Sequence, residues 1–289
     1  MAVLSKDLAG PSRDFLALTK PRVVVMVLVT ASVGYYLGRH GSPDWPRLLT
    51  TLLGTALAAA GTIALNQFLE REVDARMQRT RRRPLPTGRL LPAQALWFGV
   101  VITAGGLALL LTVGLLPALV TAAAVGLYLF AYTPLKRRSA FCLIVGAVPG
   151  ALPPVTGWVV GRGEFGIGAW VLFGILFLWQ LPHTLAIATL HREDYARGGI
   201  RLLPETRLAT AERQTVVSCL ALLAVGLMPT LIGLTGHVYL FGALVLGVGV
   251  LACGVLQAHS PSLVTARRMV LASLLYLSVA LILMALDKA

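Results

Sequence analysis

Asn66, Glu70 and Asp74 recur at intervals of four residues where an apolar stretch ends, and the run Arg79-Thr80-Arg81-Arg82-Arg83 follows closely. On an α-helix that spacing holds the three side chains near one face over about 12 Å. One side therefore presents a carboxamide and two carboxylates. Mg2+ prefers such oxygen ligands, usually takes one or two carboxylates, and completes its shell with water and substrate phosphates. The chemistry that fits is capture of a diphosphate through Mg2+, with the lipid tail of that diphosphate lying in a bilayer. A solvated helix end whose acids pair with nearby arginines would use the same residue types. What separates the two readings is a second group, His191-Arg192-Glu193-Asp194-Tyr195, which again sets acids at the end of an apolar stretch. Glu70, Glu72, Asp74, Glu193, Asp194, Glu205 and Glu212 are seven of the twelve acidic residues, and all lie in the two loops between apolar stretches that contain these groups.

Cations beside such acids can hold nonbridging phosphate oxygens as charge builds on a leaving group. Arg79, Arg82 and Arg83 qualify, as does Lys136 in Tyr132-Thr133-Pro134-Leu135-Lys136-Arg137. Their alternative role is purely topological. His183, after Trp179-Gln180-Leu181-Pro182, is an ionisable ring in an apolar span and so a functional candidate, against the plainer reading of a histidine bonded to a neighbouring helix. His191 stands at the end of the same span, while His40, His237 and His259 fall in loops or at span borders.

The elements that must position these groups are membrane helices. Of the 289 residues 57% are hydrophobic and 13% charged, and the mean hydropathy is +0.79, far above a soluble domain of this length. Charge-free stretches long enough to cross about 30 Å of hydrocarbon recur along the chain. They predict nine spans: 23–38, 48–69, 92–115, 117–135, 139–161, 165–190, 214–234, 238–257 and 269–286. Leu116-Pro117 cuts one overlong block and Gly233-Leu234-Thr235-Gly236-His237 another. With the N-terminus and alternate loops inside, 21 of the 25 basic residues face the cytoplasm. Residues 1–22 then read as a cytoplasmic segment, 23–286 as one transmembrane domain and 287–289 as a tail. The net charge of +13 and the pI near 10.5 belong to this topology, not to nucleic acid. Cys142, Cys219 and Cys253 lie inside spans without paired spacing, which indicates neither disulfides nor zinc. No secretory or organelle leader is legible, and a prokaryotic plasma (inner) membrane is the simplest home.

Over most of its length the chain resembles the haem O synthase (protohaem IX farnesyltransferase) branch of the UbiA-type intramembrane prenyltransferase superfamily. The likeness is carried by Leu18-Thr19-Lys20-Pro21-Arg22, the stretch from Asn66 to Leu85, Tyr132 to Arg137, Gly146-Ala147-Val148-Pro149-Gly150, Trp179 to His183, Glu193 to Ile200 and Leu203-Pro204. The resemblance implies an all-α polytopic bundle of nine transmembrane helices with a cytoplasm-facing active-site cavity, its two acidic motifs facing each other across it. It implies farnesyl transfer from farnesyl diphosphate to a vinyl group of haem b, giving haem o and diphosphate. Mg2+ would be held by Asn66, Glu70, Asp74 and Asp194, with Glu193 beside them. Arg79, Arg82, Arg83 and Lys136 would hold the diphosphate, and Tyr132 would orient it or shield the cation. His183 and His191 would contact haem, a substrate and not a cofactor. A haem A synthase or oxidase-assembly protein is a candidate partner. Two departures from the superfamily stand out: Glu70 replaces the usual Asp, and the second motif is less acidic, with His191 and Tyr195 at its ends. Prenylation of a small aromatic such as 4-hydroxybenzoate is the alternative within this chemistry. A transporter or scaffold is the alternative outside it, and would favour ionisable residues near the bilayer midplane.

Overall fold

The computed structural model describes residues 10–202 and 208–289, leaving Lys6, Asp7, Leu203-Pro204, Glu205 and Arg207 outside the described residues. In chain order the helices are α1 (Pro11–Thr19), α2 (Pro21–Gly38), α3 (Trp45–Leu69), α4 (Arg71–Arg76), α5 (Pro92–Val113), α6 (Leu115–Gly126), a π-helical turn (Leu127–Tyr132) and α7 (Thr133–Leu135). They continue with α8 (Cys142–Arg162), α9 (Ile167–Leu190), α10 (Arg192–Gly198), α11 (Leu208–Leu231), α12 (His237–His259) and α13 (Leu263–Leu286). Among the described residues, nine helical segments are long and apolar enough to cross a membrane. They coincide with the nine expected spans, with shifted ends. The first begins at Pro21, whose missing N–H costs nothing at a helix start. The cut expected at Leu116-Pro117 falls at Gly114, and Pro117 sits in the first turn of α6.

Residues 10–20 and 287–289 are tied to the bundle by specific contacts. α1 docks on the bundle through Gln67 Nε2, which donates to the Leu18 carbonyl at 2.6 Å, and through Arg89, whose Nε lies 3.0 Å from Asp14. Leu18 packs with Leu85, Leu90 and Ala95. At the other end Asp287 accepts from the Tyr239 N–H at 2.7 Å, and Lys288 Nζ donates to the carbonyls of Tyr36 and Arg39. These contacts satisfy free groups at helix termini.

Lipid is as apolar as leucine, so membrane helices associate by close backbone packing at small residues. α2 and α8 do so: a Cβ at Gly157 would run into the Ala31 carbonyl, and one at Gly34 into the Pro154 carbonyl. Gly157→Ala is therefore expected to destabilise the bundle by at least about 1–3 kcal/mol, seen as a lower melting temperature in detergent. An unchanged midpoint would mean that the two helices can part freely. The end of the bundle where α4, α7, α10 and the basic loops gather is here termed the basic face.

Candidate active site

α3 stops at Leu69, Glu70 leaves helical geometry, and α4 restarts at Arg71, so the three candidate ligands do not share one continuous helix. The four-residue register nonetheless survives the bend. The Glu70 N–H donates to the Asn66 carbonyl at 2.9 Å and the Asp74 N–H to the Glu70 carbonyl at 2.8 Å.

All three side chains are engaged by neighbouring polar groups. Asn66 Nδ2 donates to Thr133 Oγ1 at 3.0 Å, Glu70 lies 2.7 Å from Lys136 Nζ, and Asp74 lies 2.6 Å from Arg83. Thr133 and Lys136 are delivered by the π-helical turn. Pro134 cannot donate to the carbonyl four residues back, and the ladder widens so that the Thr133 N–H bonds to the Tyr128 carbonyl. The Thr133 hydroxyl donates to the same oxygen at 2.7 Å. The wider turn belongs to the segment that places both Tyr128 and Tyr132 on the chamber wall, and Lys136 Nζ lies 4.4 Å from the Tyr132 ring centre.

Lys20 completes the cluster and was given no role by the sequence reading. It is the one described non-glycine residue with positive φ (46°), between α1 and the proline that opens α2. A left-handed lysine is strained, and such strain gathers at functional sites. Burial, then the charge of Arg83, lowers its pKa to about 8, opposed by Asp74 and Glu70 and reinforced by Lys136. The signal available in the sequence was a lysine directly before the first-span proline.

Burial and charge act on the other groups as well. Burial raises the Asp74 carboxyl above its ordinary range despite the pull of Arg83. For Lys136 burial works against the charge, but Tyr132, Glu70 and Tyr128 outweigh it and the ammonium is held above its ordinary range. The site thus holds two carboxylates and three cations, Lys20, Arg83 and Lys136, with a surplus of positive charge. Beneath it a chamber of about 280 Å³ runs into the bundle, walled by Val27, Ile63, Val125, Tyr128, Tyr132 and Leu143 among others.

Asp194 of the second acidic segment is tied to the loop that follows the first. Asp194 accepts from the N–H groups of Gln78 and Arg79 at 2.9 and 3.0 Å and from Arg197 at 2.8 Å. Burial opposes its charge, but the Arg197 hydrogen bond and these two amides prevail and bring its pKa down to about 2.

The sequence profile of the UbiA prenyltransferase family matches residues 27–284. The chain belongs to that family. Protoheme IX farnesyltransferase of Solibacter usitatus is 46% identical to this chain, across 96% of it and 99% of the relative. The protein of the same name from Symbiobacterium thermophilum is 38% identical across 95% and 94%. Among solved structures, a digeranylgeranylglyceryl phosphate synthase superposes with a TM-score of 0.82 at 15% identity, covering 96% of this chain and 98% of that one. A UbiA homolog from Archaeoglobus fulgidus bound to GPP and Mg2+ gives 0.61 at 16%, covering 94% and 99%. These two likenesses concern the fold.

In this UbiA family member the expected site residues divide into two sets. Asn66, Glu70, Asp74, Arg83, Lys136 and Tyr132 come together. The expectation of Glu193 and Asp194 as further ligands meets a different geometry: Glu193 is exposed, the Asp194 oxygens are spent on loop amides and Arg197, and among the described residues no three His, Cys, Asp or Glu side chains converge as a metal cluster. Arg79 and Arg82 are exposed, with the Arg79 guanidinium 5.7 Å from the Tyr195 ring centre. His183 is not part of the chamber wall; it stacks on Trp179 and its Nδ1 lies 2.8 Å from Ser273 Oγ on α13. Its neighbours Gln180 and Thr184 line the chamber in its place. His191 lies edge-on to Tyr195, its pKa lowered by burial and then by Arg79.

Proposed function

We propose that this UbiA family member is a Mg2+-dependent enzyme of the inner membrane that transfers farnesyl from farnesyl diphosphate to a vinyl group of haem b, forming haem o and diphosphate. The observation that carries the reading is the cluster of two acids, Asp74 buried and Glu70 half-buried, and three cations at the mouth of an apolar chamber. The acceptor follows the relatives named protoheme IX farnesyltransferase. The basic face is assigned to the cytoplasm, since lysines and arginines mark that side.

The donor set suits Mg2+. It is oxygen-only, and Asn66 spends its amide nitrogen on Thr133, which leaves Oδ1 for a ligand. Asn66, Glu70 and Asp74 would hold the ion. Bound there, Mg2+ supplies the charge neutralisation that makes diphosphate a better leaving group. Lys136 and Arg83 exchange their carboxylate partners for nonbridging phosphate oxygens, and Lys20 adds a third positive charge. The carbon–oxygen bond to diphosphate breaks with its electron pair leaving on oxygen. The rings of Tyr128 and Tyr132 offer their negative faces to the allylic cation that remains. The apolar wall keeps water from it until the vinyl π pair forms the new carbon–carbon bond. Water then adds to the carbon beside the porphyrin ring and loses a proton. Asp194 is assigned to positioning, because it holds the loop from which Arg79 and Arg83 project. The plainer reading of His183, a hydrogen bond to a neighbouring helix, is adopted.

The test is to supply purified protein with haem b, farnesyl diphosphate and Mg2+, with 4-hydroxybenzoate as a competing acceptor. Haem o is the expected product. A folded preparation that yields no farnesylated porphyrin overturns the assignment.

Lys20 gives a second check, which begins with the stability of the ligand-free protein. It loses its proton near pH 8 in the folded protein and near 10.5 when unfolded. Between those values the unfolded state binds more protons, so stability should rise with pH across that window. Lys20→Met is expected to raise the melting temperature of the ligand-free protein at pH 7, to flatten the rise, and to increase KM for farnesyl diphosphate. A melting temperature and KM equal to those of the parent would remove Lys20 from the site.

A further inference from the structure

On three of the helices that wall the chamber, the lining residue farthest from the charged cluster is a threonine: Thr55 on α3, Thr121 on α6 and Thr156 on α8. The hydroxyls of Thr121 and Thr156 meet at 3.2 Å, tying two of these helices across the deep end. Thr55 Oγ1 is buried and has no hydrogen-bond partner among the described residues. The far end of an apolar passage is therefore closed by polar groups. Hydrocarbon gains by covering apolar surface, but it cannot satisfy a hydroxyl that it covers.

The depth of the passage is set by helix geometry. Thr55 precedes Asn66 by eleven residues on α3, a distance of about 16 Å at the helical rise. With carbon–carbon bonds of about 1.5 Å, one extended isoprene repeat spans roughly 5 Å. Three repeats fill the passage from the diphosphate site, and a fourth meets the threonines.

We propose that Thr55, Thr121 and Thr156 form a floor that limits the prenyl tail to three isoprene units. This rests on the diphosphate reading of the charged cluster. The competing route for a tail is sideways. Val23 lines the chamber next to Lys20 and Pro21 and is 48% exposed, so the chamber also opens laterally near its mouth. A tail leaving there never meets the floor and feels no length limit.

Binding separates the two routes and requires no acceptor. The probes are non-hydrolysable thiodiphosphates with ten-, fifteen- and twenty-carbon tails, titrated with Mg2+ into the intact protein in detergent. The parent protein is expected to bind the fifteen-carbon analogue about tenfold or more tighter than the twenty-carbon one, the scale of a misfit of a methylene or more in an apolar pocket. Thr55→Leu, which raises the floor, should shift preference from fifteen carbons to ten by about tenfold. Thr55→Ala, which lowers it, should narrow the gap between fifteen and twenty. Melting temperatures verify that both variants fold, and Thr121→Leu replaces Thr55→Leu should that one not fold. Affinities that do not depend on tail length, or ratios unchanged in folded variants, overturn the floor and favour the lateral route. Failure of all three probes to bind overturns the diphosphate site together with the floor. A length limit without any farnesylation of haem b supports the floor and sinks only the acceptor.

Discussion

Asp74→Ala should lower turnover with farnesyl diphosphate and haem b by about a thousandfold or more, the scale of losing a group that stabilises charge in the transition state, while leaving most of the protein folded. Two observations separate those effects. Asp74 is buried, and burial raises its carboxyl pKa despite the guanidinium 2.6 Å away, so the carboxylate carries a desolvation cost in the folded state. Its main-chain carbonyl, which accepts from the Thr80 hydroxyl at 2.8 Å, survives the substitution. Asp74→Asn is accordingly expected to keep or raise the melting temperature while turnover falls. Steady-state rates beside thermal unfolding in detergent decide the matter. Turnover at the parent level would remove Asp74 from the metal and diphosphate site. Collapse of the fold in both variants would show that the residue is structural.

Lys136→Ala should raise the dissociation constant for the diphosphate by about a hundredfold, within the range for truncating one partner of a buried charge pair. It should also destabilise the protein by about 3 kcal/mol, because the half-buried Glu70 side chain loses the ammonium it pairs with at 2.7 Å. The double variant Glu70→Gln with Lys136→Met removes both charges and should recover most of the stability without recovering binding. That contrast separates a lysine that grips substrate from one that only neutralises Glu70. If the single variant binds the thiodiphosphate as tightly as the parent, Lys136 has no part in the substrate site.

The nine spans and their order were legible because crossing hydrocarbon imposes a local demand, about twenty apolar residues between charges, that any stretch of chain meets or fails by itself. The pairing of Asn66, Glu70 and Asp74 was legible for a related reason: hydrogen bonds between residues four apart carry their register through the bend at Glu70. Prolines were harder to read. Pro117 marked a break that lies at Gly114, and the effect of Pro134 on the ladder, a π-helical turn that brings Tyr128 and Tyr132 to one wall, depends on backbone geometry that residue types alone do not display.

Side-chain roles that depend on what lies across the bundle were not legible. Asp194 and Glu193 are neighbours of similar character, yet one is buried against the amides of Gln78 and Arg79 and the other faces solvent. His183 and Gln180 lie one turn apart on α9, and rotation of that helix sends the histidine to Ser273 and the glutamine to the chamber. Lys20 joined the site only because α1 folds back and docks. The amino-acid sequence by itself determined the membrane spans, the concentration of acids and cations at their ends and the family, since these follow from composition and short-range spacing. Tertiary packing alone decided which charges pair, which helix faces enclose the chamber and what closes its far end, because those depend on helix rotations and contacts between residues as distant as Thr121 and Thr156 or Asn66 and Thr133.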